Sequence, residues 1–423
     1  MRDEVDAVSR ALDEAAARDA RTAPAPARSA AKDLETRHLY PTYRRPDLVF
    51  ERGSGWTLWD SDGREYVDLL GGIAVNALGH AHPRIAKAIA DQAGRLIHCS
   101  NLFRHSMQGA LAERLARLSG LPRVFLCNSG TEAVEAGIKV ARALARARGE
   151  PARTDLVALE GSFHGRTAGA LSVTAEPSYR APFEPLLQGV RFVPPEDVHA
   201  LRETIGPRTA CVLIEPIQGE GGVRCLSAPY LAAAREACDA AGALLLFDEV
   251  QCGLGRTGWW FAFQESGVLP DLACVAKPLA AGLPLGALLG REETAAILGP
   301  GSHGSTFGGG PLACRVALEF LDVVEEERLL ERVRATGVRA VRAFRGLADR
   351  QPAVRDVRGR GLMIGIEIDR PAAPVVDALL KRGWIVGSCR GEVLRLLPPY
   401  AVPPEVLERF ASVLGDLLNG EPS

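Results

Sequence analysis

Lysine is nearly missing from this chain. Of its 50 basic side chains only five are lysines (Lys32, Lys87, Lys139, Lys277 and Lys381), and the rest are arginines. Chemistry that needs an amine nucleophile therefore has few candidates. Net charge is missing too. The 423 residues carry a formal −2, which gives no general attraction to nucleic acid or anionic membrane. No apolar run reaches the roughly 18 residues of a bilayer span. The nine cysteines (Cys99, Cys127, Cys211, Cys225, Cys238, Cys252, Cys274, Cys314 and Cys389) are odd in number and scattered, with no CxxC pair. That pattern excludes a disulfide framework or zinc ribbon. Several sit in apolar runs, as reduced buried thiols do, which points to a cytoplasmic protein. Otherwise the composition, 47% hydrophobic and 24% charged, is that of a globular protein of two to three domain-sized units.

The chain begins Met-Arg-Asp-Glu-Val, without an apolar signal region, and its early acids argue against a transit peptide. Residues 1–38 read as a weakly held helix followed by a flexible linker. From 121 onward, short apolar runs at 124–126, 156–159, 171–173, 190–193, 211–214, 243–247, 272–275 and 285–289 read as strands. Helical stretches at 132–148 and 228–241 lie among them. Such alternation predicts an α/β fold with a mostly parallel sheet covered on both faces. Residues 312–347 read as one long amphipathic helical stretch. Strand-like pieces follow at 354–368, 384–386 and 393–396, then a last helix at 404–418, together a smaller α+β domain.

Ligands bind beyond the carboxyl ends of strands in such sheets, so the residues after each run are informative. After 124–127 stand Asn128-Ser129-Gly130-Thr131-Glu132, with capping-box spacing between Ser129 and Glu132. This helix start serves equally as a phosphate cup or as an ordinary cap. After 156–159 come Phe163, His164 and Arg166. Phe163 offers a stacking face and Arg166 a carboxylate fork, or else a core ring beside a solvent arginine; His164 reads as packing. Glu220 stands in a glycine-rich turn after 211–214. Asp248 closes an apolar run, so it is at least half buried and needs a cation or several donors. Among the lysines only Lys277 directly ends a predicted buried strand, where an apolar setting lowers an amine pKa and suits covalent amine chemistry. The GxGxxG match at 253–258 is followed by Trp259-Trp260-Phe261, too bulky for a dinucleotide helix start. His80 and His82 lack ligand spacing, and no metal is expected.

A phosphate cup, a stacking aromatic, a buried acid and a strand-end lysine are what pyridoxal 5′-phosphate (PLP) requires. With NSGTEAVEAGIKVAR, FHGRT, EPIQGEGGV, LLLFDEVQCGLGRTG, AKPLAAGLPLGA and HGSTFGGGPLAC in order, the chain from about 39 to about 418 resembles the class III (ω-type) aminotransferases of PLP fold type I. The resemblance implies a segment 39–90 packing with the small domain, a large PLP-binding domain at 91–311 and a small domain at 312–423. It implies that Lys277 tethers the cofactor and shuttles a proton. Asp248 would pair with the pyridine nitrogen, Gln251 lie near the phenolic oxygen, Phe163 stack on the ring, and Ser129, Gly130 and Thr131 hold the phosphate. Thr306 would reach the phosphate of a second subunit, making a homodimer. Arg166 and Ser305 would contact substrate, Arg395 would bind an α-carboxylate, and Glu220 would mask Arg395 when an ω-amine donor binds. The implied reaction transfers the terminal amine of N2-acetyl-L-ornithine to 2-oxoglutarate in arginine synthesis. Donors such as ornithine, succinylornithine, 4-aminobutyrate or a carrier-bound lysine are alternatives, and a non-catalytic PLP-fold protein is a different class of answer. Gly310, where the family often has Asn, and Ala280-Ala281, where it often has Gly-Gly, are departures in loops expected to face the site.

Overall fold

The computed structural model describes residues 28–420. They form two units. One holds the described residues through Arg52 with Leu58–Glu65; the other holds Gly53–Thr57 and everything from Tyr66 onward. In the first, Arg28–His38 is helical, with Arg37 and His38 complementing the dipole of its last turn. Arg45 pairs with Glu35 at 2.7 Å at the surface. The linker expected before residue 38 is thus helix at this end; the expectation for residues 1–27 lies outside the described residues.

The second unit is built on a seven-stranded sheet of β1 (Arg123–Cys127), β2 (Asp155–Leu159), β3 (Val190–Val193), β4 (Thr209–Ile214), β5 (Leu244–Asp248), β6 (Leu272–Val275) and β7 (Gly286–Gly290), in the order β1-β7-β6-β5-β4-β2-β3. Only β7 runs antiparallel to its neighbours. The apolar runs conceal a period of two. Leu244 and Leu246 of β5 join one core cluster, with helix α1 (Gly130–Ala147). Leu245 and Phe247 join the other, with helix α2 (Ala228–Ala241). Gly137 of α1 sits so close to the sheet that a Cβ there would lie 2.3 Å from Leu246 Cδ1.

One expected strand is not one. Leu171 and Ser172 close a short helix, Ala168–Ser172, and Val173 is its carboxyl-terminal cap. Its open amino end is satisfied from outside: Glu135 Oε1 on α1 accepts the Gly169 N–H at 2.8 Å and the Ala170 N–H at 3.2 Å. A short apolar run cannot by itself distinguish the two states.

Beyond residue 310 the expected single helical stretch is two helices, α3 (Pro311–Glu326) and α4 (Leu329–Ala348). They are broken where Arg328 takes φ +53°. Residues 354–368 are likewise two antiparallel strands, β8 (Val354–Arg360) and β9 (Met363–Ile368), turning at Gly361 with φ +53°. With β10 (Gly387–Cys389) and β11 (Val393–Leu396) they form a sheet ordered β8-β9-β11-β10, and α5 (Pro404–Leu418) follows. Residues 66–80 pack here: Leu397 N–H donates to Leu69 O, and Tyr400 N–H to Ala77 O, both at 2.7 Å. All nine cysteines are free. No helix among the described residues is long and apolar enough to cross a membrane.

Candidate active site

Strands β6, β5, β4 and β2 are adjacent and parallel, so their carboxyl ends open on one edge. Asp248 is the last residue of β5, and Lys277, Glu215 and the Phe163–His164 pair lie just past the ends of β6, β4 and β2. The edge bounds a cavity of about 410 Å³ that takes in Lys277, Asp248, Gln251, Ser129, Gly130 and Thr131, together with Phe163 and Arg166. That volume lies within the range of small-molecule sites.

The helix start after β1 is preorganised. Ser129 Oγ accepts the Glu132 N–H at 3.3 Å, and Glu132 Oε2 in turn accepts the Asn128 N–H at 2.5 Å, one residue earlier than a strict capping box. The N–H groups of Gly130 and Thr131 stay at the open end, where a dipole favours an anion. Gly130 is also demanded by packing, since a Cβ would meet Val250 Cγ1 at 2.7 Å. Gly165, at φ +138°, lets the Phe163 loop approach; a Cβ there would lie 2.3 Å from Thr131 Oγ1.

Asp248 is buried, and its two oxygens have different partners. Oδ1 accepts the Val250 N–H at 3.0 Å, and Oδ2 faces His164 Nδ1 at 2.8 Å. Burial works against an imidazolium at His164, but the hydrogen bond and charge of Asp248, with Glu215 beyond, outweigh it and raise its pKa. His164 is therefore an acid-base neighbour of the buried carboxylate rather than packing alone. Glu215 is a second residue the sequence reading passed over. It accepts the Phe163 N–H at 2.9 Å and the Gly219 N–H at 3.0 Å, fixing both the ring loop and the Glu220 turn. Burial pushes its carboxyl up to about 7. Its place immediately after β4 was the available signal.

Lys277 has no hydrogen-bond or ion-pair partner among the described residues. Desolvation lowers its pKa, against the pull of Asp248. Arg166 is exposed at the cavity and also lacks an acid partner among the described residues; its guanidinium carbon lies 3.8 Å from the Tyr179 ring centre and 5.4 Å from that of Phe163. Arg395, on β11, is 3% exposed and is bound to Glu220 at 2.5 Å and to Gln251 Oε1 at 3.3 Å.

Glu220, Arg395, Ser305 and Thr306 do not line the cavity itself. Ser305 Oγ accepts from Asn128 Nδ2 at 3.0 Å, whereas Thr306 is exposed. The departures expected to face the site lie off the cavity wall: Gly310 caps α3, Ala280 is buried, and Ala281 takes φ +47°, where glycine would be unstrained. The GxGxxG segment is a wedge against the C-terminal region. Arg256 is fully buried, and its Nη1 donates to Leu362 O at 3.2 Å and to Pro398 O. His80 is held by Asp68 at 2.8 Å.

The family model for aminotransferase class-III matches residues 40–418. The chain is a class-III aminotransferase. Its acetylornithine aminotransferase relative from Methanosarcina mazei is 46% identical over 90% of this chain and 94% of that protein. The one from Myxococcus xanthus is 43% identical over 90% and 98%. Among solved structures, ornithine aminotransferase from Toxoplasma gondii superposes with a TM-score of 0.90 at 33% identity, covering 96% of this chain and 97% of that one. Acetylornithine aminotransferase from Elizabethkingia anophelis gives 0.83 at 30%, covering 93% and 99%. This class-III aminotransferase has the PLP fold type I architecture and depends on PLP. The donors at the cavity fit that group. An unpartnered amine of lowered pKa, a buried carboxylate, an open helix amino end and an aromatic face all border one space.

Proposed function

We propose that this class-III aminotransferase moves the terminal amino group of N2-acetyl-L-ornithine to 2-oxoglutarate, giving N-acetyl-L-glutamate 5-semialdehyde and L-glutamate, a step of arginine synthesis. Relatives named for the acetylornithine reaction support it. The observation that carries it is an asymmetry between two arginines. Arg166 is open at the cavity with no acid partner among the described residues, while Arg395 is buried and neutralised by Glu220. A donor whose carboxylate is remote from its reacting amine meets Arg166 and leaves Arg395 masked. A dicarboxylate must occupy both. The mask can open because an incoming α-carboxylate replaces Glu220 on Arg395, so the buried guanidinium is never left without an anion.

PLP, when bound, supplies the electron sink for cleavage at the amine-bearing carbon. Gly130 and Thr131 N–H groups with Ser129 would hold its phosphate, Phe163 its ring face and Gln251 its phenolic oxygen. Asp248, positioned by His164 at 2.8 Å, would hold the proton on the ring nitrogen. Lys277 Nζ would tether the cofactor, then take up and return the migrating proton; its lowered pKa keeps a larger share of the amine neutral. Ser305, through Asn128, would border the substrate.

Thr306 would serve a second copy of the chain in a homodimer. Supporting this, Thr306 is exposed on a loop tied to Asn101, whose Nδ2 donates to Ser305 O at 2.8 Å and to Gly308 O at 3.0 Å. Ile97, Leu102, Phe103 and Phe307, on the Asn101 segment and on this loop, are exposed apolar side chains. Nine unpaired cysteines favour the cytoplasm.

The test mixes the PLP-loaded enzyme separately with acetylornithine, ornithine, succinylornithine and 4-aminobutyrate and follows loss of the cofactor's visible absorbance. Acetylornithine should exceed the others in kcat/KM by about tenfold or more. Preference for free ornithine would overturn the assignment.

A further inference from the structure

A second cavity, of about 870 Å³, shares Phe163 with the first and is bordered by Glu220, Arg224, Ser388 and Arg390. Glu220 sits at the tip of a hairpin whose strands, Ile217–Gln218 and Arg224–Cys225, pair Gln218 with Arg224. Three arginines gather around that tip. Gly222, two residues past Glu220, is packed beneath two of them: a Cβ there would lie 3.1 Å from Arg358 Nη2 and 3.4 Å from Arg390 Cδ. Arg358 is neutralised by Asp356 and Glu367, at 2.6 and 2.7 Å. Arg224 and Arg390 have no acid partner among the described residues. Arg224 is half-buried, and burial followed by the neighbouring charges of Arg390 and Arg358 disfavours its protonated form. Glu196 and Glu367 act in the opposite direction from farther off, but neither forms an ion pair with Arg224 or Arg390 among the described residues.

Of the other acids on the cavity, Glu176 is engaged by Ser178 and Glu160 follows β2. Glu220 differs because its partner must be surrendered. Once an α-carboxylate takes Arg395, the Glu220 carboxylate, only 31% exposed, is left beside a competing anion without a cation. We infer that Arg224 and Arg390 receive the displaced Glu220 carboxylate, so that the second cavity is the open-state seat of the gate rather than a binding site for substrate. The inference rests on the reading of Arg395 as the α-carboxylate site. It makes the two arginines specificity-determining residues for the glutamate half-reaction that do not touch either substrate.

The experiment uses PLP-loaded enzyme in four forms: wild type, Glu220→Ala, Arg224→Gln with Arg390→Gln, and all three changes together. Each is titrated with glutarate, an inert dicarboxylate, and assayed in separate half-reactions with L-glutamate and with acetylornithine. Replacing both arginines should weaken glutarate binding and raise the half-saturating glutamate concentration about fivefold, the scale of a partly exposed ion pair. The acetylornithine half-reaction should stay at its wild-type rate, and Lys at both positions should restore glutarate affinity. In the Glu220→Ala background the arginine changes should do nothing. Weakened glutarate binding that persists in that background would mean direct contact with the ligand and overturn the inference. So would unchanged glutarate affinity in the arginine variant when Glu220→Ala alone tightens it. If Glu220→Ala alters neither glutarate affinity nor donor preference, the masking of Arg395 itself fails. Equal slowing of both half-reactions would show a structural defect and also overturn the assignment.

Discussion

Replacing Arg166 with alanine separates binding from stability. In the free protein the side chain lies exposed over Tyr179, its guanidinium carbon 3.8 Å from the ring centre, with no acid partner among the described residues. Folding therefore loses its cation–π contacts with Tyr179 and, at 5.4 Å, with Phe163, together worth about 1 kcal/mol at an exposed site. Binding loses a charge-assisted fork on a carboxylate. Truncating one partner of such a pair costs about 2–5 kcal/mol when buried, and the solvent around Arg166 places it near the lower end. A loss of about 2–3 kcal/mol corresponds to roughly 30- to 150-fold in affinity. Half-saturating concentrations of acetylornithine and of 2-oxoglutarate should both rise on that scale, because each presents a carboxylate remote from its reacting carbon. The urea midpoint should barely move. Arg166→Lys keeps the charge but not the planar fork, and should fall between the two. The assay is the pair of half-reactions alongside urea unfolding of the same samples. Wild-type half-saturation for both substrates in Arg166→Ala would refute the clamp, as would a rise for only one of them.

Lys277→Ala should abolish transamination and the absorbance of the lysine-bound cofactor while the protein still folds; a variant retaining both removes the central assignment. Glu249 is buried at the Phe263–Ser266 helix, accepts the Ala262 and Phe263 N–H groups at 2.8 Å each, and is pushed up to about 7 by burial. A folded-state pKa above the ordinary 4.5 means the folded chain holds that proton more tightly. Stability should therefore fall as pH rises from about 4.5 through about 7, by up to roughly 3 kcal/mol. Urea unfolding at several pH values should show a flatter profile in Glu249→Gln, and identical profiles would contradict the assignment. Gly137→Ala should destabilise by about 1–3 kcal/mol, because the added methyl meets Leu246 between α1 and β5. Thermal unfolding would measure it, and a neutral result would show that the Leu246 side chain turns aside without strain.

Much of the sheet was legible because strands buried on both faces must be written as continuous apolar runs, and β5, β6 and the core of β4 were. The failures have physical causes. Residues 168–172 form a helix because Glu135, distant in sequence, satisfies the open amino end. The stretch after 311 breaks at Arg328 because a left-handed backbone at one residue redirects the chain, and no periodicity announces that. His164 read as packing because its charge is set by Asp248, 84 positions away.

By itself the sequence determined which residues could do chemistry. A chain that uses arginine almost everywhere places Lys277 where an apolar strand ends, and arginine, permanently protonated, cannot replace it there. It also determined Asp248 as a carboxylate that needs a partner. Only the tertiary structure decided who the partners are. Parallel strands brought Lys277, Asp248, Glu215 and His164 to one edge, the antiparallel strand β11 set Arg395 against Glu220 on its hairpin, and Arg166 has no acid partner among the described residues. Those choices depend on distances between groups far apart in the chain, where burial and neighbouring charge set which side chains are protonated, masked or free.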